Sequence, residues 1–510
     1  MNIKLKDIYF GRADGLQESE EECFENLFYK GNQKYDLLCQ DVNKFIISGK
    51  KGTGKTILAK YFEKEMNKQN IPTETLNKRQ IILNSYLEKG EYNLNSEERT
   101  LFIEFTILKE LSTLLLKHKK KLIKFKNILR IGRIIQALKV LEEFVNKRYS
   151  SDNFSKNSFE YSSNEGIEIT EKIGNKNCGA ISKCDVSSNI KESYVKNPYY
   201  NIIDSLKKNL FYLLKLLPVN IIFDDLDELE VKIDGNKEVI RVLIAFIEVA
   251  NQLNVEIRKN RIKNSRIIIL MRSDIIKVLN ENSSNLNKII SDSEIRLNWI
   301  KRVHGGKLHP LMDLIVTKIK KSNNALKDLS NDDVVNMLFP VSVNGVPVMD
   351  HMLNCSFGRP RDIINMLNII KSEYPDAEKF EADLFKDTQQ EYSTKFIDEL
   401  TNELSTHYES EVIEEAFNII RYINKKTFTI DDIEETLSRY KDRLHHFRVK
   451  EEYADFIYKH GIAGNTWKNS DPNTKRKYNF SWKYREDGFD TPDYTKRFYV
   501  HLALRKSLIG

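Results

Sequence analysis

Apolar residues are spaced along this chain in three ways, and each spacing predicts a different element. Short apolar runs at 45–47, 219–223 and 266–271 are too brief for helices and read as strands buried on both faces. Residues 294–299, EIRLNW, alternate instead, with Ile295, Leu297 and Trp299 on one side, as a half-buried strand does. A helical period governs 17–29, the stretch after Ile57, 99–149, 238–253, 309–373, 389–404, 411–422 and 428–440. In the 99–149 stretch Leu101, Phe105, Leu108, Leu111 and Leu115 share one face. Near the end, 453–458 lead into Gly461-Ile462-Ala463-Gly464-Asn465, which reads as a turn. The aromatic alternation of 478–484 is then expected to pair with 497–500 across the turn-rich 485–493 as a hairpin.

Strands that alternate with helices predict an α/β fold with a parallel-sheet core. Five segments follow: 1–70, opening the core; 71–217, a long helical insertion; 218–308, the rest of the core; 309–387, a helical lid; and 388–510, a C-terminal domain whose helices followed by a hairpin suggest a winged helix. An insertion of that length far exceeds an ordinary loop of a compact α/β unit.

Chemistry is expected where the first strand ends. The spacing Gly49-x4-Gly54-Lys55-Thr56 between a strand and a helix suits a loop whose backbone N–H groups close on phosphates at a helix N-terminus. Gly49, Lys50, Lys51, Gly52, Thr53, Gly54, Lys55, Thr56 and Ile57 are therefore expected to hold ATP, with Lys55 on the β and γ phosphates. Two acids end the 219–223 run. Asp224, with Thr56, is expected to hold Mg²⁺, and Asp225 to orient the attacking water, a role for which Asp227 and Glu228 compete. Arg272, at the tip of the 266–271 run, is placed to read a γ-phosphate with its planar fork. In FGRPRD, Pro360 suits a helix start and sets Arg359 and Arg361 there, at an electrostatic cost that a phosphate would offset.

Composition narrows the partners. The 510 residues are 30% charged and hold no apolar run near the roughly 20 residues of a bilayer span, and MNIKLKDIYFGR lacks a signal peptide's apolar core, so a cytoplasmic protein is expected. Five cysteines are scattered; the spacing of Cys178 and Cys184 matches no metal or redox motif, and free thiols are expected. A net charge of +7 permits nucleic-acid contact, through the basic run from Lys117 to Arg133 or through Lys475, Arg476, Lys477, Lys483 and Arg485. Residues 150–193, rich in Ser, Asn, Lys and Gly, read as a loop or a disordered segment. His445 and His446 lack metal-ligand companions.

Taken together, IYFGR, GKKGTGKT, IIFDDLDE, LMRSD, FGRPRDII, QQEYS and the ending HGIAGN to VHLALRKSL resemble a bacterial family of stand-alone P-loop ATPases close to the STAND and KAP branches of AAA-like NTPases. That family is often encoded in mobile or defence islands. The resemblance implies an ASCE/AAA-like P-loop core, with Phe10, Gly11 and Arg12 as an adenine-holding box. It gives Lys55, Thr56, Asp224, Asp225, Arg272 and Arg359 the roles argued above, with Arg272 as sensor 1 and Arg359 as sensor 2. It implies an ATP-binding and ATP-hydrolysing switch in anti-phage defence, acting as a homo-oligomer or with an effector protein. A nucleic-acid-dependent ATPase of repair or replication initiation, and a nucleotide-binding scaffold, are the alternatives. The insertion has no assigned role, and no arginine after the last strand, Arg302 included, is secured as an arginine finger.

Overall fold

The computed structural model describes residues 3–77, 96–124, 130–146, 198–226, 236–300, 308–470, 477–485 and 489–509. The chain divides into two compact units, residues 1–80 with 220–254 and 266–510, and residues 81–219 with 255–265.

The first unit is built on a sheet of β1 (Ile46–Gly49), β2 (Thr73–Leu76), β3 (Asn220–Phe223), β4 (Arg266–Arg272) and β5 (Glu294–Arg296). Their order is β2-β3-β4-β1-β5, and every pairing is parallel. All residues of β1, β3 and β4 are buried, which is why these runs carry isoleucine without alternation. One of the buried polar residues, Asn220, ties three strands together: it accepts from the Arg266 N–H at 2.9 Å and donates to the Thr73 hydroxyl at 3.1 Å. The helix Lys55–Lys68 leaves β1 and buries Leu58, Ala59, Tyr61 and Phe62, with Tyr61 stacked on Phe28 at 3.8 Å. Upstream, the helix expected over 17–29 is broken into Gly15–Glu20 and Phe24–Leu27. β2 lies inside the stretch read as insertion: at the sheet's edge its residues Thr, Glu, Thr and Leu need not form an apolar run. β5 is shorter than its alternation suggests, since Leu297 and Trp299 stay buried after the strand has ended.

Helices follow the sheet: Pro310–Ser322, Asn331–Leu338, Val348–Asn354, Pro360–Glu373, Ala382–Asp387 and Gln389–Leu404, with a small hairpin of β6 (Ser342–Val343) and β7 (Val346–Pro347). Then come helix Ser410–Ile423, β8 (Thr427–Phe428), helices Ile430–Arg439 and Lys450–Lys459, β9 (Ala463–Lys468), β10 (Tyr478–Ser481) and β11 (Arg497–Val500). One apolar core, running from Leu311 through Leu367, Phe396 and Ile420 to Val500, crosses the boundary drawn at 387/388.

The second sheet has the order β10-β9-β11-β8. β10 therefore pairs with β9, and β11 with β9 and β8, rather than β10 with β11 as the aromatic alternation suggested. The cause of the misreading is Gly464. It sits within β9, where an added Cβ would meet the Ser481 carbonyl and the Trp482 ring at 2.6 Å, so it marks close packing and not a turn. The turn itself is made by Gly461, at φ +70°.

The second unit is helical, with Ser96–Lys117, Lys119–Lys124, Ile131–Asn146 and Pro198–Leu214. Phe105, Leu108, Leu111 and Leu115 are buried as their spacing foretold, and Phe105 packs on Phe144 at 4.8 Å. Half-buried Lys207 is held by Glu104 at 2.6 Å and Glu256 at 3.0 Å. Lys117, Lys119, Lys120, Arg130 and Arg133 are exposed; Lys119 pairs with Glu142 at 2.7 Å, and the Arg133 guanidinium lies over Tyr212 at 4.2 Å. Cys178, Cys184, Lys475, Arg476 and Arg302 lie outside the described residues, as does the 150–193 stretch. No described helix is long and apolar enough to cross a membrane.

Candidate functional site

Parallel strands end at one edge of a sheet, and here β1, β3 and β4 bring the expected residues to that edge. Gly49 is in register with Arg272, and Asp224 follows β3, its N–H held by the Leu76 carbonyl at 2.8 Å. The loop after β1 turns through Gly52 at φ +80° and Gly54 at φ +93°. At Gly52 an added Cβ would also meet Arg361 at 2.9 Å, so the glycine is required by both backbone and neighbour. Lys55 folds back into the loop, its ammonium donating to the Gly49 carbonyl at 3.1 Å and the Lys50 carbonyl at 3.4 Å. The Thr56 hydroxyl donates to Asp224 Oδ2 at 2.8 Å, joining residues far apart in the chain. Asp225 adopts a left-handed conformation, φ +57°, with its N–H on Asp224 Oδ1 at 3.0 Å.

A cleft of about 740 Å³, counted with the solvent space at its open mouth, lies over this loop. Lys51, Gly52, Gly54, Lys55, Thr56, Ile57, Asp224, Asp225, Arg272, Arg361 and Arg12 line it. Ala13, Gly15, Pro360 and Ile364 complete the wall. Lys50 and Thr53 face a second, smaller cavity with Trp299 and Tyr484, and Gly49 lies at the loop's base against Thr53. The Trp299 indole donates to the Thr53 carbonyl at 2.9 Å, and Lys50 donates to the Tyr484 carbonyl at 3.3 Å.

Three further expected residues stand away from the cleft. Phe10 is 1% exposed and packs edge-on against Phe380 at 6.1 Å within the helical core, which removes it from the cleft. Gly11 is wedged beside Lys318 and Glu18, themselves an ion pair, so of the adenine-box trio Arg12 alone lines the cleft. Arg359 borders the smaller cavity and is already neutralised: it pairs with Asp362 at 3.0 Å and Glu403 at 2.7 Å, and donates to the Lys51 carbonyl at 3.1 Å. Its position at a helix start is thus explained by carboxylates rather than by a phosphate. Of the two arginines at the start of helix Pro360–Glu373, Arg361 reaches the cleft, its N–H on the Gly52 carbonyl at 3.3 Å. Asp227 and Glu228 lie outside the described residues.

Residues 309–401 match the family model of the FunZ-associated C-terminal helical domain. A comparison with curated proteins found no match. The FunZ-associated match takes in Arg359, Arg361, Asp362 and Glu399 and ends just before Glu403.

Of the acids that answer these arginines, Asp274 and Asp362 are close by in the chain, whereas Glu399 and Glu403 arrive through the fold. Arg272 forks onto Asp274 at 2.5 and 3.2 Å and donates to the Thr406 hydroxyl at 3.0 Å. His407 Nε2 stands 3.2 Å from the same Asp274. Burial would raise the Asp274 carboxyl, but His407 and Arg272 hold it well below the usual carboxylate range. Burial would lower the Arg359 guanidinium, yet Asp362 and Glu403 raise it, while the burial of Glu403 is outweighed by Arg359 and Arg272 so that it stays ionised. Arg361 pairs with Glu399 at 3.1 Å. Glu399 and Glu403, four apart on helix Gln389–Leu404, therefore meet Arg361 and Arg359, although from sequence alone such a pair reads as a solvated face.

Proposed function

We propose that this chain binds ATP with Mg²⁺ at the 49–56 loop and uses the γ-phosphate as a conformational switch, with hydrolysis to reset it. The observation that carries the reading is the Thr56 hydroxyl on Asp224 at 2.8 Å, beside a lysine folded into a glycine loop at a helix N-terminus. A hydroxyl and one carboxylate are the oxygen donors a Mg²⁺ ion takes from protein when phosphate and water supply the rest. When bound, the ion supplies charge that draws the phosphates onto this edge of the sheet. Lys55 would exchange its loop carbonyls for phosphate oxygens, and Asp225 would orient the attacking water. The sheet order, with β4 between the glycine-loop strand and the acid strand, agrees with the P-loop core that the family resemblance implies.

The switch reading is supported by the carboxylates. Arg361 faces the cleft while held by Glu399, and Arg272 faces it while held by Asp274. A γ-phosphate would compete for both, and the helix Gln389–Leu404 would be released or retained accordingly. Assembly with further copies or with an effector, in the defence setting the resemblance implies, would be the output. Calorimetry with ATP and ADP on the wild-type chain and on Lys55→Ala tests the site: binding is expected in the first and lost in the second, and equal affinity for the two proteins would overturn it.

A nucleic-acid-dependent ATPase is the second reading, favoured by the exposed Lys117, Lys120, Arg130 and Arg133 of the helical unit. Hydrolysis stimulated several-fold by DNA or RNA would select it over the switch.

A further inference from the structure

On the outer face of the second sheet the rings of Tyr478 and Phe480 stand exposed among the described residues. Residues opposite one another in a sheet share a face, so the register sets Tyr478, Phe480 and Trp482 beside Lys468, Thr466 and Gly464, and Arg497 and Tyr499 on the far side of β9. Trp482 is buried against Gly464, but Tyr478 is 56% and Phe480 43% exposed. Phe480 stands 5.0 Å from Tyr499, whose ring is capped by the Arg505 guanidinium at 3.9 Å. Lys468 and Arg497 flank the rings and are exposed, and none of the described strand residues on this face is acidic. The opposite face, with Phe428, Phe498, Val500 and Ala463, forms the core.

We infer that this face binds single-stranded nucleic acid, with bases stacked on Tyr478 and Phe480 and the backbone drawn to Lys468 and Arg497. Exposed rings beside cations suit a ligand that is itself flat and anionic, and stacking needs unpaired bases. Duplex DNA fits the module poorly. The helix before β9, Lys450–Lys459, is the one such an arrangement would set in a groove, and its exposed and half-exposed charges, Lys450, Glu451, Glu452, Asp455 and Lys459, balance on the negative side. Phosphates would be repelled there. The inference goes beyond the ATP reading and does not depend on it, because none of these side chains lines the nucleotide cleft.

The test is fluorescence anisotropy of the full chain with a labelled oligothymidylate and with a duplex of equal length, across a salt series and without nucleotide. Single strand is expected to bind more tightly than duplex, with affinity falling steeply as salt rises. Tyr478→Ala combined with Phe480→Ala should weaken binding about tenfold or more. Lys468→Glu combined with Arg497→Glu should weaken it and flatten the salt dependence, and Lys55→Ala should leave it unchanged. All four replaced side chains are exposed, and equal urea midpoints would verify that the variants fold. Binding of duplex as tight as single strand, unchanged affinity in both double variants, or no binding at low salt would overturn the inference. So would a wild-type dimer that the aromatic double variant dissolves without any oligonucleotide binding, since the face would then be a contact between copies. Failure of any of these kinds leaves the ATP reading standing, and loss of ATP binding alone leaves this inference standing.

Discussion

In the five-stranded sheet every residue of β1, β3 and β4 is buried, whereas β10 of the four-stranded sheet runs exposed, half-buried, exposed, buried from Tyr478 to Ser481. The difference follows from strand direction. Parallel strands need crossovers that cover both faces, so the places left for a ligand are the strand ends, where Gly49, Asp224 and Arg272 gather. Antiparallel strands can leave one face in water, so a ligand can lie across the strands themselves. The first sheet is thus suited to hold something small at a point, and the second to hold something long along a surface.

The sharpest way to break this division is to remove chemistry at the strand ends and watch the open face. Asp225→Asn is expected to keep ATP and lower hydrolysis by about a hundredfold to a thousandfold, measured as phosphate release; normal turnover would move the role to Asp227 or Glu228. Lys55→Ala should weaken ATP by about a hundredfold in calorimetry while oligonucleotide binding stays constant. Loss of both together would mean that the two sheets do not act separately.

Smaller effects are expected from the carboxylates between the sites. Glu403→Gln leaves Arg359 short of one counter-charge and should lower the unfolding free energy by about 2–3 kcal/mol, read from urea midpoints. Glu399 and Arg361 are partly exposed, so Glu399→Gln should cost little stability. It should tighten ATP about fivefold and leave ADP unaffected, because only the triphosphate competes for Arg361. Equal gains for ATP and ADP would remove the γ-phosphate from the switch.

The smallest expected effect lies in the helix Ser410–Ile423. Glu415 accepts three backbone N–H bonds, from His445 at 2.6 Å, His446 at 2.9 Å and Phe447 at 2.8 Å. Burial raises its carboxyl, and those bonds bring it below the ordinary value. A carboxylate lowered on folding contributes stability above its unfolded pKa of about 4.3 and loses that contribution as pH falls through the folded value. The gap between wild type and Glu415→Gln, about 1 kcal/mol at neutral pH, should therefore close on acidification below about pH 4. A gap independent of pH would show that charge is not what fastens the 445–447 segment.

Much of the first sheet was readable because burial on both faces leaves an apolar run, and the loop was readable because its spacing fits one geometry. β2 was not, since an edge strand can be half polar. β9 was misread because glycine serves turns and close packing alike, and only the partner strand tells which. Arg359 and Arg361 were both expected to wait for a phosphate. Asp362 was in view three residues on, but Glu403 reaches Arg359 through the fold, and no local pattern announces that. Phe10 shows the same limit: an aromatic beside a glycine and an arginine fits a base pocket or a hydrophobic core equally well.

The indole of Trp299, tied to the Thr53 carbonyl at 2.9 Å, has an optical consequence. The chain has three tryptophans, and the other two belong to the second sheet: Trp467 lies under the Lys496 ammonium at 4.0 Å, and Trp482 rests against Gly464. Indole emission responds to the hydrogen bonding and ring stacking around it, so Trp299 reports on the glycine loop and Trp482 on the aromatic face, whereas the register turns Trp467 to the opposite face. With Trp467 and Trp482 replaced by phenylalanine, the remaining emission would follow the glycine loop alone. With Trp299 and Trp467 replaced, it would follow the open face through Trp482.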